Sequence, residues 1–107
     1  MPFECSIDKV PDEVRMTLTG ALDASSAPGF KEAVESVAGT GVKRLVLFVE
    51  GLDFMASAGL RVLIFAKQKM GSEVAIHVVG PTGPVLNTLT MSGFHHSVYV
   101  QDTYAPV

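Results

Sequence analysis

The chain is expected to fold as α/β, with a mixed β-sheet and helices packed against it, and three features of the sequence predict this. Residues 3–20 alternate apolar and polar side chains, the period of half-buried strands. From residue 25 to residue 100, stretches at helical spacing take turns with short apolar, β-branched-rich runs. Glycine and proline breaks separate these segments. The resulting order is β-β-α-β-α-β-α-β. Strand–helix–strand units force parallel neighbours joined by right-handed crossovers.

Each element has its own reason. Phe3, Cys5 and Ile7 alternate with Glu4, Ser6 and Asp8, and Val14, Met16, Leu18 and Gly20 alternate with Glu13, Arg15, Thr17 and Thr19. Val10-Pro11-Asp12 between them is a turn signal, so the two segments form an antiparallel hairpin. Ser25, Ser26 and Pro28 then open a helix whose stripe is Phe30, Ala33, Val34 and Val37, and Gly39 and Gly41 stop it. Arg44 to Val49 is a nearly continuous apolar run, which suits a central strand covered on both faces. Gly51 to Gly59 reads as a loop running into a second helix from about Ser57 to Met70. Within that loop Phe54 is expected to pack under the central strand, and Met55 to be either core or contact surface. Glu73 to Val79 is a further strand. A short helix carries Val85, Leu86 and Leu89, and Val98-Tyr99-Val100 forms the last strand. The tail 101–107 carries no signal of its own.

At 107 residues the chain has the size of one domain, spanning 1–107, and its 48% hydrophobic content is enough for one core. The net charge of −3, with lysines and arginines scattered, argues against direct nucleic-acid binding. The chain begins Met-Pro-Phe-Glu, which is no signal peptide, and its apolar runs are too short for membrane insertion, so a cytoplasmic location is expected. The single cysteine, Cys5, excludes an internal disulfide, and its place in the strand pattern points to a buried, inert thiol.

No catalytic constellation stands out, so no enzyme activity, cofactor or metal is expected. Gly-rich phosphate loops and Gly-x-Ser-x-Gly are absent. The adjacent His95-His96 should point apart in a strand or loop and make a poor metal site, while His77 in an apolar strand reads as a core or edge residue.

The segment Phe54-Met55-Ala56-Ser57-Ala58-Gly59-Leu60 is unusual, because it places a hydroxyl where a buried helix begins. Ser57 has a structural reading as the helix N-cap. It also has a functional reading as a phosphorylation site, where the free N–H groups and dipole of the helix start favour a phosphate. Arg61, four residues on, shares that face and is placed to pair with the phosphate.

These residues resemble the STAS domain of the anti-sigma-factor antagonist type. Family members carry Phe-Met-Asp-Ser-Ser/Thr-Gly-Leu at a helix start after a central strand, against Phe54-Met55-Ala56-Ser57-Ala58-Gly59-Leu60 here. Gly20-Ala21-Leu22-Asp23-Ala24 and Met91-Ser92-Gly93-Phe94 match two further family segments, and the element order agrees over nearly the whole domain.

The resemblance implies a STAS-like single domain and a partner-switching protein without a cofactor of its own. The unphosphorylated form would bind a kinase-type anti-sigma factor, phosphorylation at Ser57 would end the binding, and a serine phosphatase would restore it. Partner contact is then expected at Asp23, Met55, Ala56, Ser57, Ala58, Gly59 and Arg61, with the Asp23 loop beside Ser57 on the docking face. Two positions depart from the family pattern: its acid before the serine is Ala56, and its hydroxyl residue after it is Ala58. STAS-like domains also serve as unphosphorylated scaffolds or as small subunits of lipid-transport complexes, and the departures lean toward that alternative.

Overall fold

In a computed structural model, which describes residues 2–39 and 41–104, the two N-terminal strands form the expected hairpin. They are β1 (Glu4–Val10) and β2 (Glu13–Leu22). Pro11 and Asp12 make the turn, with Asp12 at φ 66°, a left-handed conformation that aspartate tolerates. The Asp12 carbonyl accepts the amide hydrogens of Lys43 and Arg44, tying the turn to the next strand.

The remaining elements are α1 (Ala27–Val37), β3 (Arg44–Met55), α2 (Ser57–Met70), β4 (Ala75–Val79), α3 (Gly83–Ser92) and β5 (Tyr99–Gln101), with a 3-10 turn at Phe94–His96. The strands lie in sequence order, β1-β2-β3-β4-β5, the first pair antiparallel and the rest parallel. Right-handed crossovers that always step the same way along a sheet put every helix on the same face. That face holds the core: Val14, Met16, Leu18, Leu45, Leu47, Val49, Ile76 and Val78 meet Phe30 and Val34 of α1, Leu63 and Ala66 of α2, and Leu89 of α3.

The β3 strand is therefore not sandwiched between helix layers. On its helix-free face Val46 is fully buried and Phe48 half-buried, and Tyr104 from the C-terminal segment packs edge-on against Phe48 and His77. The Tyr104 hydroxyl donates to Glu13, which also takes Arg15 Nε at 2.6 Å and Arg44 Nε at 2.9 Å. Burial works against the Glu13 charge, but the hydrogen bonds from Tyr104, Arg44 and Arg15 outweigh it and hold its pKa at about 2. The signal-free tail thus has a task at Tyr104, while residues 105–107 lie outside the described part.

Three side chains settle differently from the sequence expectation. Cys5 is only half-buried on the edge strand β1. His95 and His96 do not point apart, because the 3-10 turn brings their ring centroids to 3.9 Å. His77 is half-buried, stacked on Tyr99 and hydrogen-bonded to Gln101, and its strand is paired on both sides, so it is not an edge residue.

Candidate functional site

The segment Gly51–Met55, read above as loop, continues β3. It pairs with the end of β2 through Thr19–Gly51, Gly20–Leu52, Ala21–Phe54 and Leu22–Met55, with two register shifts. These irregularities break the strict alternation. Leu52 and Met55 both turn into the core, while Phe54 turns out and is 49% exposed. The expectation for Phe54 is thereby reversed, and Met55, at 2% exposure, is a core residue and not part of an outer contact surface.

The start of α2 is held from two sides. The Ala56 amide donates to the Leu22 carbonyl at 2.8 Å, and the Thr88 hydroxyl of α3 donates to the Met55 carbonyl at 3.1 Å. Gly59 is required by a close approach: a Cβ there would stand 2.6 Å from Leu22 Cγ. Gly59 therefore lies beneath the surface expected to contact a partner.

Ser57 is not the N-cap. Ala56 occupies that position with extended backbone and no side-chain cap, and Ser57 is the first helical residue. The first intrahelical bond runs from the Leu60 amide to the Ala56 carbonyl, so the amides of Ser57, Ala58 and Gly59 precede the helical ladder. Ser57 is exposed, and among the described residues its hydroxyl makes no hydrogen bond. Arg61 is exposed one turn later and, among the described residues, pairs with no carboxylate, unlike Arg15 and Arg44. A hydroxyl without partners among the described residues, beside amides and a guanidinium equally unbonded there, can carry an anionic group without displacing a bond to any of them.

The neighbouring loop is shaped by Asp23. Its Oδ1 accepts hydrogen bonds from the amides of Ser25 and Ser26 and from the Ser25 hydroxyl. These bonds, led by the Ser25 hydroxyl, hold the Asp23 carboxyl below its ordinary pKa. Ser26 Oγ in turn donates to the Ala21 carbonyl at 2.9 Å, fastening the loop to the end of β2. Leu22 pairs with Met55, so Asp23 and Ser57 stand at the same end of the sheet. Ala24 and Ala58 line a common groove there. Asp23, Ala56, Ser57, Ala58 and Arg61 are thus brought together, with Met55 and Gly59 as their underside. Sequence reasoning missed the outward Phe54, which only the register shifts reveal.

Among the described residues no group of three or more His, Cys, Asp or Glu is placed to hold a metal ion. No helix among them is long and apolar enough to cross a membrane.

The family model described as the STAS domain matches residues 5–106. None of the curated proteins matches the sequence significantly. Among solved structures, an anti-sigma factor antagonist from Mycobacterium paratuberculosis superposes with a TM-score of 0.87 at 20% identity, over 95% of this chain and 87% of that one. The anti-sigma factor antagonist SpoIIAA in its unphosphorylated form gives 0.82 at 17% identity, over 94% and 89%. The phosphorylated form of SpoIIAA, the Bacillus cell fate determinant, gives 0.73 at 17%, over 95% and 92%. At these identities the likeness establishes the fold.

Proposed function

This chain belongs to the STAS domain family, and from that premise we propose that it is an anti-sigma-factor antagonist rather than an enzyme, controlled by phosphorylation at Ser57. In this reading a kinase-type anti-sigma factor docks on the surface made by the Asp23 loop and the first turn of α2. The kinase supplies ATP. The Ser57 oxygen takes the γ-phosphoryl group, the hydroxyl proton passes to a base of the kinase, and ADP leaves. A serine phosphatase restores the hydroxyl by hydrolysis.

The observation that carries the reading is the unbonded, exposed Ser57 hydroxyl at the first position of α2. A phosphate there meets the free amides of the helix start and the guanidinium of Arg61. It also adds nearly two negative charges to a surface that otherwise carries Asp23 and Arg61, which changes partner choice without unfolding the chain. That structures exist of SpoIIAA in both unphosphorylated and phosphorylated forms supports the idea that this fold tolerates the modification. The whole cycle would run in the cytoplasm, with no membrane insertion and no direct nucleic-acid contact.

One observation favours a second reading, an unphosphorylated scaffold or a small subunit of a lipid-transport complex. Ala56 and Ala58 flank Ser57, so no carboxylate of the immediate motif can orient the hydroxyl. Affinity capture from the source organism's lysate, with this chain and its Ser57→Asp variant, separates the two. Capture of a kinase-type ATPase by the unmodified chain alone supports the switch. Equal capture of one partner by both forms, or capture of a transporter subunit, overturns it.

A further inference from the structure

Between α1 and α2 runs an open groove of about 430 Å³ that begins beside the first turn of α2. Ala24, Ala27, Ala58 and Val62 line it, and the ring of Phe65 forms part of one wall. Lys31 and Arg61 line it from opposite helices, and no acidic side chain does. Lys31 Nζ lies 4.8 Å from the centroid of the Phe65 ring, which holds the ammonium at the groove. Among the described residues neither cation is in a salt bridge, and the nearby Asp23 carboxylate is turned back onto Ser25 and Ser26.

Two properties select the occupant. Alanines leave room for larger apolar side chains from outside, the pattern of a groove that receives an amphipathic helix. The charge is also opposite in sign to that of the molecule. The chain carries −3 overall, yet this groove presents two cations and no acid. An acidic partner is therefore repelled by the surface as a whole and steered to this place.

We propose that the groove between α1 and α2 docks an acidic amphipathic helix of the partner protein, its apolar side chains on the alanine floor and its carboxylates against Lys31 and Arg61. The proposal rests on the antagonist reading for the identity of the partner, and it deepens that reading in one respect. Arg61 lies one helical turn from Ser57 on the same face, so a phosphate on Ser57 takes Arg61 as its counter-ion. The partner's carboxylate and the phosphate then compete for one guanidinium, and phosphorylation removes one of the groove's two cations.

The test is a titration of the 15N-labelled chain with two synthetic peptides of equal length. Both carry leucines at helical spacing, one with glutamates and the other with lysines between them. The glutamate peptide should shift the amide signals of Ala24, Ala58, Val62 and Phe65 saturably, and more tightly at low salt. Lys31→Glu and Arg61→Glu should each weaken it by about tenfold, and the lysine peptide should not bind. Unfolding midpoints equal to the parent's show that both variants are folded. Equal binding of both peptides, shifts mapping elsewhere, or an unchanged affinity in the charge-reversed variants overturns the groove. Capture of a kinase-type ATPase at full strength by Lys31→Glu also overturns the groove while leaving the antagonist reading intact. Groove binding of the glutamate peptide without capture of any kinase removes the antagonist reading alone.

Discussion

The carbonyl of Leu22 accepts the amide hydrogen of Ala56 at 2.8 Å, and the side chain of Leu22 fills the space that a Cβ on Gly59 would need. One residue at the end of β2 thus holds both the entry and the first turn of α2. The Asp23 loop and Ser57, remote in sequence, share this one anchor.

Gly59→Ala is expected to destabilise the fold by about 1–3 kcal/mol, because the added methyl meets a fully buried leucine rather than a flexible surface group. Urea unfolding measures the loss. A value within error of the parent would mean that α2 is free to move away from Leu22.

Ser57→Ala should leave stability within about 0.5 kcal/mol of the parent, since the hydroxyl caps nothing and bonds to nothing among the described residues. An N-cap serine would instead cost about 1 kcal/mol on the same substitution. The comparison is made by denaturant unfolding at neutral pH.

Glu13 makes stability fall in acid. Its pKa is about 2 in the folded chain against an ordinary 4.5, so its contribution is fully present above 4.5 and fades as pH falls toward 2. The expected loss is of the order of 3 kcal/mol. Thermal melts between neutral pH and acid should show it. Glu13→Gln should be less stable at neutral pH and flatter across the acid range.

Tyr104→Phe removes the hydroxyl that reaches Glu13 while keeping the ring against Phe48 and His77. The expected cost is about 1 kcal/mol, with the acid transition of the variant beginning at higher pH. Tyr104→Ala should cost more, because Phe48 and His77 lose their cover.

Asp23→Ala should free the loop without unfolding the domain. Hydrogen exchange at the amides of Ser25 and Ser26, both bonded to Asp23 Oδ1, is expected to quicken while the global unfolding midpoint stays close to the parent's. Unchanged exchange would show that Ser26 Oγ on the Ala21 carbonyl suffices to hold the loop.

Element order was legible because hydrophobic periods report which side of a strand or helix is buried. The helix Ser57–Met70 has the bounds that its pattern predicts. What the pattern hides is pairing. Gly51 to Met55 contains a glycine and an aspartate and lacks regular alternation, yet it is a strand because β2 is long enough to pair with it. The same register shifts exchange the roles of Phe54 and Met55. Tyr104 was unreadable for a related reason: its value lies in Glu13, 91 residues earlier, and no local period records so distant a bond. At the candidate site, the serine and its arginine were visible as a one-turn spacing. The groove was not, because its opposite wall comes from another helix.

The sequential strand order has a bearing on how the molecule is made. Each strand joins the edge left by the one before it, so assembly can proceed from the N-terminus as synthesis proceeds. By the time residue 70 has left the ribosome, β1, β2, α1, β3 and α2 are all present, and with them Asp23, Ser57 and both walls of the groove. The final strand, β5, is only three residues long, which leaves the last edge too short to template another chain.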